Sequence, residues 1–340
     1  ACGMATQFWQ LLLARMAVAV GEAGGMAPSI SLVSDLYPKR HRSLAISLFM
    51  MGPHFGVLIG LALGGWIAQH HGWRATFLWF GAPGIVLGVL VWLLVPEPVR
   101  GGFDDAPAVK PQQEPLVVQL RRLLAEPAFR WLCLGCGIAG VSGYGYGTWM
   151  PSFLVRSHGL SIAHAGLVFG VASGLGAVAG SLFSGWSCDR LVARDARWQV
   201  GLQMLGVLLA VPCALALLLW PGGGAWTIVG VAVPHGMSFA LLFGFFASWW
   251  PSLSYSAVSQ MVPAQERAVA ASVLNLFITL FGVGVGPLVT GMLSDLLTPV
   301  YGAQALRLAL VAVICLMVLT ALLFAAAVAP YRQRLRTQAA

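Results

Sequence analysis

The sequence predicts an all-α polytopic membrane protein, and three observations carry that prediction. Of 340 residues, 59% are hydrophobic and only 9% are Asp, Glu, Lys or Arg, against about 25% charged residues in an ordinary soluble chain. The apolar residues gather in nine blocks, at 10–34, 43–68, 74–95, 129–154, 163–186, 198–220, 228–261, 268–296 and 305–328. Each is at or near the length of about 20 residues that a bilayer-spanning helix needs. The basic residues occupy alternate connections: fifteen of the 19 lie at Lys39–Arg42, Arg100–Arg130, Arg190–Arg197, Arg267 and Arg332–Arg336, while the other connections hold only Arg74, Arg156 and Arg307. Positive residues mark the cytoplasmic side of a membrane, so the net charge of +8 encodes topology and excludes a nucleic-acid partner.

Backbone groups in hydrocarbon must be satisfied within their own segment, so these blocks are helices. A lipid-facing barrel needs alternating segments of about ten residues, and the blocks do not alternate. The first block contains Arg15 and Glu22, seven residues apart and hence on one helical face. The second and fifth carry glycines every four residues, at Gly52, Gly56, Gly60 and Gly64 and at Gly166, Gly170 and Gly174, stripes that allow close helix approach. Residues 96–127 are Pro-rich and polar and form a linker, with a short surface helix over 115–125. In the fourth block, "GVSGYGYGTWMPSF" (140–153) weakens its helix with four glycines and Pro151 while supplying Tyr144, Tyr146 and Trp149.

An internal repeat gives the domain plan. "SDLYPKRHRSLA" (34–45) and "SQMVPAQERAVA" (259–270) align at an offset of 225, matching Ser34 with Ser259, Pro38 with Pro263, Arg42 with Arg267 and Ala45 with Ala270. One residue of slip later, Gly56, Gly60 and Gly65 match Gly282, Gly286 and Gly291. The first block then corresponds to the seventh, which three helices precede in its own half. Three helices, roughly a hundred residues, are therefore expected ahead of Ala1 in a six-plus-six protein. The expected domains are 1–98 (helices four to six of a truncated N-terminal half), a cytoplasmic linker at 99–127, and a six-helix C-terminal half at 128–340 with a cytoplasmic tail.

Two halves joined by a long basic loop resemble the major facilitator superfamily of secondary transporters. "GWSCDRLVAR" (185–194) is similar to that family's loop motif at Gly185, Asp189, Arg190 and Arg194, with Val192 where the family usually has glycine. "GWRATF" (72–77) is a turn common in the family. "RMAVAVGEA" (15–23), "EPVRG" (97–101), "WMPSFLVRSHGLS" (149–161) and "GVGVGPLVTGMLSDLL" (282–297) resemble the Spinster-like branch. The resemblance implies alternating access, an acidic partner for Arg15 on the first helix, and a gate at Gly185, Asp189, Arg190 and Arg194 that locks the outward-facing state. The branch suggests lysolipids or similar amphiphiles. Ordinary positive-inside charge is the plainer account of the gate arginines.

Glu22 is the one acidic residue at mid-span, and an ionised carboxylate there must pair or take up a proton. With Arg15 it forms the candidate proton-coupling site; a static ion pair between helices is the alternative. Candidate cavity residues are Tyr144 and Trp149 on helix seven, Ser238, Phe239 and Phe243 on helix ten, and His54 on helix five. The offset of 225 carries Arg15 to Ala240 and Glu22 to Ala247, so the second half lacks the charged pair. An ionic first half facing an aromatic second half suits an amphiphile better than a sugar. No His, Cys or carboxylate set has metal-ligand spacing and no phosphate loop is visible, so no cofactor, no metal and no enzyme activity are expected. Six cysteines lie mostly in apolar blocks as small buried residues. The expected function is secondary active transport of a small organic, amphiphilic or lipid-like solute with H+ coupled through Glu22. The expected setting is multi-pass in the cell inner membrane, with a cytoplasmic C-terminus and no obligate protein partner. The alternatives are an organic-anion or drug-type facilitator without protons, or a non-transporting fragment.

Overall fold

A computed structural model describes residues 1–95, 115–220, 224–228 and 231–339. Eleven α-helices account for nearly all of it. They are α1 (Phe8–Leu36), α2 (Arg42–Leu94), α3 (Leu116–Ala125), α4 (Pro127–His158), α5 (Ile162–Val192), α6 (Trp198–Leu219), α7 (Met237–Ala247), α8 (Trp249–Met261), α9 (Arg267–Phe277), α10 (Gly286–Tyr301) and α11 (Ala305–Ala339). The first part of the expected linker, 96–114, lies outside the described residues; the short helix expected over 115–125 is α3.

Every apolar block has a helical counterpart, but blocks and helices do not map one to one. Six helices are long and apolar enough to cross a membrane, or seven when the bent pair α3 and α4 is taken together. The second and third blocks are one helical run, α2, turned at Gly72 with φ 77°, a conformation L side chains rarely adopt. The eighth block is α9 and α10 joined by a π-helical stretch, Ile278–Val285. Pro287, which has no N–H to offer the preceding turn, comes two residues after it.

The seventh block departs from expectation. β1 (Ala225–Ile228) and β2 (Val231–Pro234) pair antiparallel instead of forming a helix, and the helix begins only at Met237. Thr227, Ile228, Val231 and Val233 are β-branched, which favours strand, and Pro234 cannot donate to a helix interior. An apolar run alone does not separate strand from helix. The remainder divides into α7 and α8 at Ser248, whose hydroxyl donates to the Phe245 carbonyl at 3.0 Å. Pro251, one turn on, supplies no N–H to close the break.

The core lies in the second half. α4 and α6 pack on α11, and α5 packs on α7, burying Phe129, Leu132, Phe153, Ile314 and Phe324 completely or nearly so. Gly176 and Gly180 bring α5 onto the carbonyls of Leu241 and Phe245 in α7 so closely that a Cβ at either would collide with backbone. The expected glycine stripes are mostly not the contact points. Nothing stands within reach of a Cβ at Gly52, Gly56, Gly60 or Gly166, and Gly174 meets only Leu58. The first-half helices dock on this core, α1 against α9 and α2 against α5. The run His70–Leu94 buries none of its apolar window.

Candidate functional site

The repeated turn is the structural key. Arg42 is fully buried and donates to the Ser34 carbonyl at 2.8 Å; its counterpart Arg267 donates through Nε to the Ser259 carbonyl at 3.0 Å. The same side chain closes the same turn in each half, so the matched positions are structural equivalents. Both turns lie on the basic side of the molecule, and there the halves meet.

Three contacts form this seam. Asp189, at the end of α5, accepts the backbone N–H groups of Ser43 and Leu44 at 3.2 and 3.0 Å. These are among the first donors of α2, which have no partner within their own helix, and a carboxylate suits the positive end of the helix dipole. Four residues earlier Gly185 lies against Leu44 and Ser47, where a Cβ would not fit. Asp35, at the end of α1, pairs with Arg267 of α9 at 2.8 Å, both side chains almost wholly buried at 5% and 3% exposed. Between these, Ser43 reaches the Ser256 hydroxyl at 2.9 Å and donates to Gln199 Oε1 at 3.4 Å, while Gln199 Nε2 donates to the Leu253 carbonyl at 3.1 Å. Of the four motif residues, Gly185 and Asp189 contact the first half. Arg190 instead stacks on Trp186, its guanidinium 3.9 Å from the ring centroid, and Arg194 is exposed.

Arg15 and Glu22 project from α1, Glu22 midway between its ends, and both are exposed. Among the described residues neither has a hydrogen bond or ion pair. The candidate cavity residues do not form one lining. Tyr144 lays its ring against Gly282 of the π-helical stretch. Trp149 is tied down, its indole N–H donating to the Pro287 carbonyl at 2.9 Å and its ring covering Gly291. Phe243 is buried with its ring 4.5 Å from Tyr146. Ser238 bonds the His235 carbonyl, and Phe239 stacks near Trp220 at the far end of α7. His54 is half-buried on α2.

Sequence reasoning missed Asp35, Gln199 and the pair Tyr255–Asn275, in which the Tyr255 hydroxyl donates to Asn275 Oδ1 at 2.9 Å. A signal for the last was available: Asn275 is the sole asparagine in the chain and sits inside an apolar block. It lies three residues before the π-helical stretch, an irregularity frequent at functional sites. The second half is therefore less purely aromatic than the sequence suggested. Among the described residues no group of three His, Cys, Asp or Glu could hold a metal ion.

Comparison with known proteins agrees with this architecture. The chain is 33% identical over 326 residues to an MFS-type efflux pump of Mycolicibacterium smegmatis, covering 96% of this chain and 72% of that protein. It is 26% identical over 314 residues to a D-galactonate transporter of Escherichia coli, covering 86% and 70%. Its fold is similar to the crystal structure of a bacterial homologue of the human lysosomal transporter Spinster, with 27% identity and a TM-score of 0.59 over 99% of this chain and 79% of that one. Residues 1–280 match the Major Facilitator Superfamily, and the chain belongs to that family of multi-pass membrane transporters.

Proposed function

We propose that this protein is a secondary active transporter moving a small amphiphilic solute, coupled to H+ through Glu22. Membership of the superfamily makes it a transporter and not an enzyme. The observation that carries the coupling is Glu22 itself, a carboxylate midway along a membrane-spanning helix, with Arg15 two turns away on the same face. Protonation removes its charge and so changes the relative stability of the two facing states; Arg15 holds an anionic group of the solute or tunes Glu22. The solute sits between the halves and is exposed to each side in turn, and the seam of Asp35–Arg267 and Asp189 closes the cytoplasmic side of the inner membrane in one of these states.

The test uses proteoliposomes and a fluorescent lysophospholipid. Glu22→Gln is expected to abolish uptake driven by a pH gradient while leaving solute exchange intact. Driven uptake that persists in Glu22→Gln removes Glu22 from the coupling step.

A second reading is supported by the relatives that transport D-galactonate, gallate and gentisate. Here the solute is an organic acid, Arg15 binds its carboxylate and Glu22 is structural. Binding of such an acid that loses its pH dependence with Arg15→Lys but not with Glu22→Gln favours this reading.

A further inference from the structure

We propose that α3 is an in-plane membrane anchor, lying in the headgroup region of the leaflet on the basic side and holding anionic phospholipid with Arg121. α3 meets α4 at a bend of 87°, so when α4 crosses the bilayer, α3 lies along its surface. Ten residues at about 1.5 Å each give it a length of roughly 15 Å.

Its residues divide by face. On one side it is clamped to the protein: Leu123 is buried, Arg122 pairs with Glu266, and Glu126, just past its end, pairs with Arg334 at 3.9 Å. On the other side Val117 and Leu124 stand 74% and 40% exposed. Val117, Arg121 and Leu124 follow at spacings of four and three, so they share one stripe. Arg121 is exposed, and among the described residues it has no ion-pair partner. Apolar side chains flanking an unpaired arginine, on a helix parallel to the membrane, are the features of an interfacial helix. The apolar groups enter the acyl boundary while the guanidinium reaches up to the phosphates. Arg130, exposed on the first turn of α4, extends the basic rim, and anionic lipid complements that charge.

The test places a cysteine at Val117 in a background lacking the native Cys213 and Cys315, labels it with an environment-sensitive fluorophore, and reconstitutes the whole chain in lipid nanodiscs. Ala193→Cys, in the exposed turn after α5, is the aqueous reference. The label at 117 is expected to be quenched by nitroxide lipids bearing the spin label near the headgroup and shielded from aqueous iodide; the label at 193 should show the reverse. Adding phosphatidylglycerol to phosphatidylcholine is expected to deepen the lipid quenching at 117. Arg121→Gln should cut that response roughly fivefold, the contribution of one arginine near an anionic surface. Iodide access at 117 equal to that at 193 overturns the proposal. So does shielding from both quenchers, which would mean that protein, such as a second copy of the chain, covers the face. An Arg121→Gln response equal to that of the parent overturns the assignment of the lipid site.

Discussion

Asp35→Asn is the sharpest test of the seam. Asp35 and Arg267 come from opposite halves and are 5% and 3% exposed, so solvent does little to screen their attraction. Removing one member of a buried ion pair costs about 3–5 kcal/mol. Arg267 keeps its bond to the Ser259 carbonyl, and asparagine still offers an amide oxygen, recovering about 1 kcal/mol. The cost falls on the closed seam alone, since Arg267 is hydrated once the halves part. The closed state should therefore lose at least about 2 kcal/mol, a shift of roughly 30-fold toward the parted state. Ser256, fully buried and bonded across the seam to Ser43, gives the readout. Ser256→Cys should react with a water-soluble maleimide roughly 30-fold faster when Asp35→Asn is added, as long as opening and closing are fast relative to labelling. A rate within twofold of the parent would refute the reasoning, because the pair would then be no lock between the halves.

The other predictions use the same chemistry on neighbouring elements. Asp189→Ala removes the acceptor for two N–H groups of α2 and should raise Ser256→Cys labelling roughly fivefold, as expected for losing a helix cap worth about 1 kcal/mol. Gly180→Leu drives a side chain into the Phe245 carbonyl, which cannot move aside; it should lower the thermal unfolding temperature in detergent, at a cost of about 3 kcal/mol or more. Gly166→Leu, with open space around its Cβ, should leave that temperature unchanged. Trp149→Phe loses both the bond to Pro287 and the outer indole ring atoms that cover Gly291 and should cost about 1 kcal/mol or more of stability.

The periodic and compositional part of the structure was legible from the sequence, because membrane solvent makes its demands locally. Each span must be apolar and long whatever it touches, so the blocks marked the helices. What failed to show was set by contacts distant in sequence. The strand pair at 225–228 and 231–234 sits in a run as apolar as a span, and only the β-branched residues and Pro234 mark it. The glycine stripe in the fifth block satisfied a four-residue rule, yet α5 meets α7 through Gly176 and Gly180. Those glycines follow the same spacing on another face, and only the position of α7 selects between the faces. Asp35 reads as an ordinary charge at a helix end until the partner 232 residues away is seen.

The repeat also explains why the two halves differ in chemistry at equivalent depth. Ala240 and Ala247 occupy the places of Arg15 and Glu22. Ala240 is fully buried in the second-half core, and Ala247, partly buried against the same core, is the last residue of α7 before the break at Ser248. A guanidinium or carboxylate there would be desolvated against the core, which a packed interior does not tolerate without a partner. On α1 the same two positions are exposed. One half thus uses this helix to carry charge. The other closes it into a packed, interrupted segment whose polar groups, Tyr255 and Asn275, lie further along the chain. Placing glutamate at Ala247 should lower the thermal unfolding temperature in detergent, because a carboxylate there is desolvated against the core.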